Sequence, residues 1–187
     1  MEYLDIVNEN GQPTGEVVSR KEAHQKGILH RTAHVWVVRR KPDGWDILLQ
    51  KRSLEKESLP GYYDTSSAGH IPAGQEPLDS ALRELYEELG IEASAGQLHY
   101  AGSIRIQYEK EFHGGLFRDN EVTRIYVYEE PVDISALILQ KSEVDEVRWF
   151  DLAKVREEIE RQKQKRTRFC VPSNGLNVLH SFLVKRR

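Results

Sequence analysis

The clearest periodicity in the chain lies between Pro77 and Leu89. Leu78, Ala81, Leu82, Leu85 and Leu89 recur at i, i+3, i+4, i+7 and i+11, one apolar stripe of an amphipathic helix. Pro77 suits the first turn of that helix and Gly90 its C-terminal stop. Upstream, residues 2–7 and 15–19 read as two short strands around the turn-rich Asn8-Glu9-Asn10-Gly11-Gln12-Pro13, which predicts a hairpin. Residues 20–26 predict a short helix. Residues 31–40 and 45–51 are strongly β-like, with Lys41-Pro42-Asp43-Gly44 as the turn between them. Residues 52–64, with Pro60-Gly61, read as a loop. Past the central helix come β-like segments at 97–108, 121–129 and 144–150, an amphipathic helix over 151–163 and a C-terminal helix over about 173–185. Residues 52–67 and 109–120 are then the loops expected to set specificity. This order predicts an α/β or α+β layered architecture with helices packed on sheet.

Composition narrows the class. The chain has 187 residues, 39% hydrophobic and 30% charged, which fits one globular domain over 1–187 with a sizeable core. A net charge of −3 provides no global field toward nucleic acid or anionic membrane. The basic run at 161–168 reads as a solvated helix end. A single cysteine, Cys170, excludes an intramolecular disulfide and fits a reducing compartment. The N-terminus carries no basic and apolar leader, and the apolar runs fall short of the roughly 20 residues that span a bilayer. A cytoplasmic protein with no membrane partner is therefore expected.

Candidate chemistry lies on the polar side of the 77–89 helix. Glu84, Glu87 and Glu88 stand at i, i+3 and i+4, so their carboxylates share one face. Three adjacent like charges repel unless a cation sits among them, and hard ions such as Mg²⁺ or Mn²⁺ prefer clustered carboxylate oxygens. On the helix alone, a solvated acidic face is the competing reading. The preceding loop, Gly69-His70-Ile71-Pro72-Ala73-Gly74, can offer backbone carbonyls, and Arg83 can brace the acidic cluster.

These residues resemble the Nudix signature: Gly, five residues, Glu, seven residues, Arg-Glu, an apolar residue, any residue, Glu-Glu, any residue, Gly, apolar. Here Gly69, Gln75, Arg83, Glu84, Leu85, Glu87, Glu88, Gly90 and Ile91 occupy those positions, and only Gln75 departs. The resemblance implies a Nudix-type α/β/α sandwich with a mixed β-sheet, its signature box at 69–91. It also implies divalent metal, Mg²⁺ or Mn²⁺, on Glu84, Glu87, Glu88 and the Gly69 carbonyl, with Arg83, Gln75 and Gly90 structural in the box. Family members often draw one more carboxylate from outside the box; Glu121 is the candidate here and Asp119 the runner-up. The implied partner is a small-molecule diphosphate, hydrolysed by an activated water, and a homodimer is compatible with the family. Lys51, Arg52 and His70 are candidate substrate contacts.

The resemblance extends further, through Asp5-Ile6-Val7, Gly15, Arg20, His24, His30-Arg31, Pro60-Gly61 and Asp64, toward the branch that includes isopentenyl-diphosphate isomerase. In that branch an N-terminal histidine pair, the His after the box Gly and two later glutamates bind a metal; His24, His30, His70, Asp119 and Glu121 fall in similar places. Read from the residues alone, His24 and His30 are packed, hydrogen-bonded side chains. The isomerases use a cysteine just before the Gly-His pair, where this chain has Ala68, which cannot carry a proton. Diphosphate hydrolysis is thus favoured over isomerisation, and over a non-catalytic sensing module that Gln75 alone supports.

Overall fold

The structure, a computed structural model, describes residues 1–56, 58–112, 114–161 and 168–186. Its elements are β1 (Tyr3–Val7), β2 (Pro13–Ser19), α1 (Arg20–Lys26), β3 (His30–Lys41), β4 (Gly44–Arg52), β5 (Tyr63–Asp64), β6 (Ser67–His70), α2 (Pro77–Leu89), β7 (Leu98–Phe112), β8 (Gly115–Tyr128), β9 (Val144–Asp151), α3 (Leu152–Arg161) and α4 (Ser173–Val184). The expected hairpin, short helix and central helix are all present. Most of the basic run at 161–168, and the end of the helix expected over 151–163, fall outside the described residues.

The main sheet runs β5-β4-β3-β8-β7, with β6 also pairing β3 and β9 pairing β4. The β3–β8 pair is parallel and the others are antiparallel, so the sheet is mixed. Odd positions of β3 (Ala33, Val35, Val37) pack with Ala81, Leu85 and Leu89 of α2. Even positions (Trp36, Val38) pack with Leu152 and Val155 of α3 and Leu176, Leu179 and Leu183 of α4. Period-2 alternation thus divides one strand between two cores, and the layers are helix, sheet, helix.

Two features open this sheet into a site. On one edge, β3 changes partner along its length: it pairs with β6 over Thr32–Val35 and with β4 over Val38–Lys41. The strands fan apart there, and Ser66 bridges the gap, its Oγ accepting from the Val37 N–H and donating to the Leu48 carbonyl. Secondly, residues 109–120 are not the expected loop. The β7–β8 ladder continues to the Phe112–Gly115 pair, so Asp119 and Glu121 are strand residues facing inward.

The N-terminal hairpin is clamped onto the box. Ala73 N–H donates to the Tyr3 carbonyl at 2.8 Å, and Leu4 bridges to Pro72. Arg31 Nη2 donates to Asp5 Oδ2 at 2.8 Å and to the Gln75 carbonyl at 3.2 Å, while the Gly74 N–H donates to Asp5 Oδ2 at 3.0 Å. Both Asp5 and Arg31 are buried. Asp5→Ala leaves Arg31 as an uncompensated buried charge and is expected to cost about 3–5 kcal/mol. Urea unfolding of the two proteins measures it; a loss below about 1 kcal/mol, the scale of an exposed pair, would contradict the assignment.

Candidate functional site

Where the sheet opens, a cleft of about 1470 Å³ reaches between β3, β6, α1, α2 and the β7–β8 hairpin. Its lining includes Gly69, His70, Glu84, Glu87, Glu88, Asp119 and Glu121. Carboxylates along its walls outnumber lysines and arginines, so an anionic ligand needs added positive charge there.

One wall is the acidic face of α2. Glu88 is 4% exposed; its Oε2 accepts from the Ala68 N–H and from Gln50 Nε2, each at 3.2 Å. Arg83 reaches Glu84 Oε1 at 2.7 Å and Glu87 Oε2 at 2.9 Å, and donates to the His70 carbonyl at 3.4 Å. Glu84 lies directly on Gly69: a Cβ there would sit 2.2 Å from the Glu84 Cδ. Glu84 and Glu88 are therefore withdrawn from solvent, while Glu87 stays exposed at the rim.

A second set faces it. The β3–β8 register places His30 beside Glu121, and the β3–β6 register places Thr32 beside His70. Ligand atoms of His24, His30 and His70 lie within 4.8 Å of one another, as do those of His30, Asp119 and Glu121. His24 Nε2 is 3.0 Å from His70 Nε2, and His30 Nε2 is 3.7 Å from Glu121 Oε1. His30 Nδ1 lies 2.8 Å from the Ile28 carbonyl; protonated there, it leaves the Nε2 lone pair pointing into the set. Thr32 Oγ1 holds the other Glu121 oxygen at 3.0 Å. His24 Nδ1, His30 Nε2 and Asp119 Oδ1 are buried without a hydrogen-bond partner. Convergent imidazole and carboxylate atoms with unmet lone pairs at this spacing fit a divalent transition ion.

The NUDIX domain family matches residues 29–169. The chain belongs to the Nudix family. An uncharacterized Nudix hydrolase of Clostridium acetobutylicum is 42% identical over 143 residues, 76% of this chain and 66% of that protein. Nudix hydrolase 3 of Arabidopsis thaliana is 37% identical over 150 residues, 79% of this chain and 19% of that protein. The chain thus spans about two thirds of one relative and a fifth of the other. An isopentenyl-diphosphate Delta-isomerase of Dinoroseobacter shibae is 33% identical over 150 residues, 80% of each chain, which places this protein in the expected branch. Among solved structures, DR0079 of Deinococcus radiodurans superposes with a TM-score of 0.65 at 17% identity, over 89% of this chain and 93% of that one. The NUDIX domain of Shewanella oneidensis NrtR, complexed with ADP ribose, gives 0.57 at 15% identity, over 91% and 100%. These two likenesses support the fold alone.

Within this Nudix cleft the expected residues separate clearly. Glu84, Glu87, Glu88, Gly69, His70, Asp119, Glu121 and His24 line it, and His30 joins them from β3. Arg52 lines it too, but its guanidinium is held by the Ser58 carbonyl and Asp64. Lys51 is absent from the lining and pairs across β4 with Tyr63 and Glu146. Gln75 lies outside the cleft: its Oε1 accepts from Ser80 Oγ in the first turn of α2, so the box's one departure falls on a bracing position. Gly90 ends α2 with φ +71°, the left-handed conformation that favours glycine. His24 comes from the segment ahead of the matched family region, held by α1.

The site's electrostatics follow from burial. Burial, with the charge of Glu84 adding to it, pushes the Glu88 carboxyl up to about 8. Burial and the adjacent Glu121 push Asp119 up to about 8. Burial would raise Glu121 as well, but the close approach of His30 and the neighbouring histidines win and hold it low. Burial and His30 bring His24 down to about 4, and burial, with Arg20 adding to it, lowers His70. Raised carboxyls stabilise the fold below their ordinary values near 4 and lose that contribution as pH rises through about 8. Lowered imidazoles do the reverse: their contribution is intact above 6.5 and lost as pH falls toward about 4. The metal-free protein should therefore melt highest near about pH 6. A divalent ion, needing ionised carboxylates and neutral imidazoles, should raise Tm more at pH 8 than at pH 6. Thermal scans in EDTA and in Mn²⁺ test this; equal metal-induced shifts at both pH values would contradict it.

Proposed function

We propose that residues 1–187 act as one Nudix hydrolase unit that cleaves a diphosphate linkage in a nucleoside-diphosphate-type or other organic diphosphate. The observation that carries this reading is the meeting of Glu84, Glu87 and Glu88 with Gly69 and the histidine set in one cleft. Glu84, Glu87, Glu88 and the Gly69 carbonyl would hold Mg²⁺ or Mn²⁺. His24, His30, His70, Asp119 and Glu121 would hold a second ion, and their nitrogen-rich set suits Mn²⁺ better than Mg²⁺. Ions so held supply neutralisation of the phosphoryl oxygens and acidification of a water.

The chain's own residues do the rest. Arg83 braces Glu84 and Glu87. Ala68 N–H and Gln50 fix Glu88, which in its ionised form would receive the proton of the attacking water. Thr32 orients Glu121, and His30 is fixed through the Ile28 carbonyl. His70 and Arg52 flank the ligand. The binding partner is a small molecule.

The isomerase-named relative favours a second reading, isomerisation of an isoprenoid diphosphate, but Ala68 offers no proton at the position where that branch uses cysteine. A panel of nucleoside diphosphate sugars, ADP ribose, dinucleotides, nucleoside triphosphates and isoprenoid diphosphates, with Mg²⁺ or Mn²⁺, separates the readings. Metal-dependent release of phosphate-bearing products from one class supports hydrolysis. A rearranged isoprenoid diphosphate without cleavage would replace it with the second reading.

A further inference from the structure

His34 is the one histidine of the cleft that neither metal-binding set uses. It lies on β3 on the same face as His30 and Thr32, four residues beyond His30. Its neighbour across the β3–β6 pair is Ala68, whose backbone N–H holds Glu88. The strand thus carries His30 beside Glu121, Thr32 beside His70 and then His34 beside Ala68, so His34 lines the same cleft as both sets. Asp64 and Glu121 are the charged groups whose fields reach it.

His34 is 8% exposed, and what remains exposed faces the cleft. Among the described residues, neither ring nitrogen makes a hydrogen bond. Nor does His34 belong to either group of ligand atoms that converge within 4.8 Å. Unlike His24 Nδ1 and His30 Nε2, neither ring nitrogen of His34 is a fully buried, unpartnered atom, so the ring stays open to a partner from the cleft. Ala68 opposite presents only a methyl group, and both residues line the cleft.

We propose that His34 hydrogen-bonds through its ring N–H to a phosphoryl oxygen of the bound diphosphate, between the two metal-binding sets. The proposal rests on the hydrolase reading and adds a substrate contact to it. A neutral imidazole donor suits this place, because a further cation would compete with the ions for the same carboxylates. The methyl of Ala68 lets the anion approach that a longer side chain would block.

The test uses methylenediphosphonate, a diphosphate analogue that cannot be hydrolysed, at fixed excess Mn²⁺. His34→Ala should weaken its binding by calorimetry about 10–100-fold, the range for a lost hydrogen bond to a charged group. His34→Gln, which keeps an N–H donor, should recover most of that affinity, and both variants should hold as much Mn²⁺ as the wild type. In the wild type, the ring ¹⁵N resonances of His34 should shift on saturation with the analogue. Affinity of His34→Ala within about twofold of the wild type, or unmoved ring resonances at saturation, would overturn the contact alone. Loss of Mn²⁺ from His34→Ala would make it a metal-centre residue and also overturn the proposal. A wild type that binds Mn²⁺ but no analogue would overturn both the contact and the hydrolase reading beneath it.

Discussion

Replacing Glu88 by Gln should lower kcat/KM for diphosphate hydrolysis by about 10²–10³-fold, the cost of removing one preorganised charge-handling group. The same change should raise the melting temperature of the metal-free protein at pH 8. The two effects have one cause. Glu88 is almost fully buried, and burial holds its carboxyl near 8, so its ionised form burdens the empty fold. Glutamine has the same shape, and its amide oxygen can still accept from the Ala68 N–H and Gln50 Nε2. What it lacks is the negative charge that a cation and a water proton need. Steady-state kinetics and thermal scans in EDTA read the two effects. A variant that is inactive because it is less stable would show that Glu88 serves packing.

Gly69→Ala should lower kcat/KM by on the order of 10²-fold, as displacement of a reacting or ligand group by about 1 Å does, with Tm almost unchanged. The added methyl would lie 2.2 Å from the Glu84 Cδ and 2.3 Å from its Oε1, far inside contact distance. Gly69 sits in a strand and is not among the positive-φ glycines, so the backbone itself accepts alanine. The strain therefore falls on the Glu84 side chain, which swings away from Arg83 and from the cleft. The activating metal concentration should rise along with the loss of rate. Wild-type activity in the alanine variant would remove Glu84 from the site, and a large loss of stability would make Gly69 a folding residue.

The parts of this site that could be read in the sequence are those with local causes. Pro77, Gly90 and the leucine stripe delimit α2, and Glu84, Glu87 and Glu88 share a face because helix geometry requires it. The histidine set was visible only through family resemblance, because it is assembled by pairing at long range: β8 brings Asp119 and Glu121, β6 brings His70, and α1 brings His24. β6 itself, Ser67-Ala68-Gly69-His70, has little intrinsic strand preference; it is a strand because β3 offers an open edge. For the same reason the β7–β8 ladder absorbed residues 109–120, which read as a loop. The alternation His30-Thr32-His34 against Arg31-Ala33-Val35 marks a polar, buried strand face, the one sign of His34 that the sequence carries. Lys51 and Arg52 looked alike as cations at a strand end, but strand alternation turns them different ways, and only Arg52 reaches the cleft.

The most direct test of the hydrolase reading is incubation of the substrate panel in H₂¹⁸O with Mn²⁺ or Mg²⁺, followed by mass spectrometry of the products. The account predicts one ¹⁸O in a phosphate group of the cleaved product of at least one diphosphate class, dependent on metal and lost in Glu88→Gln. Isoprenoid diphosphate rearranged without ¹⁸O in its phosphates, or no product from any class despite bound metal, would contradict it.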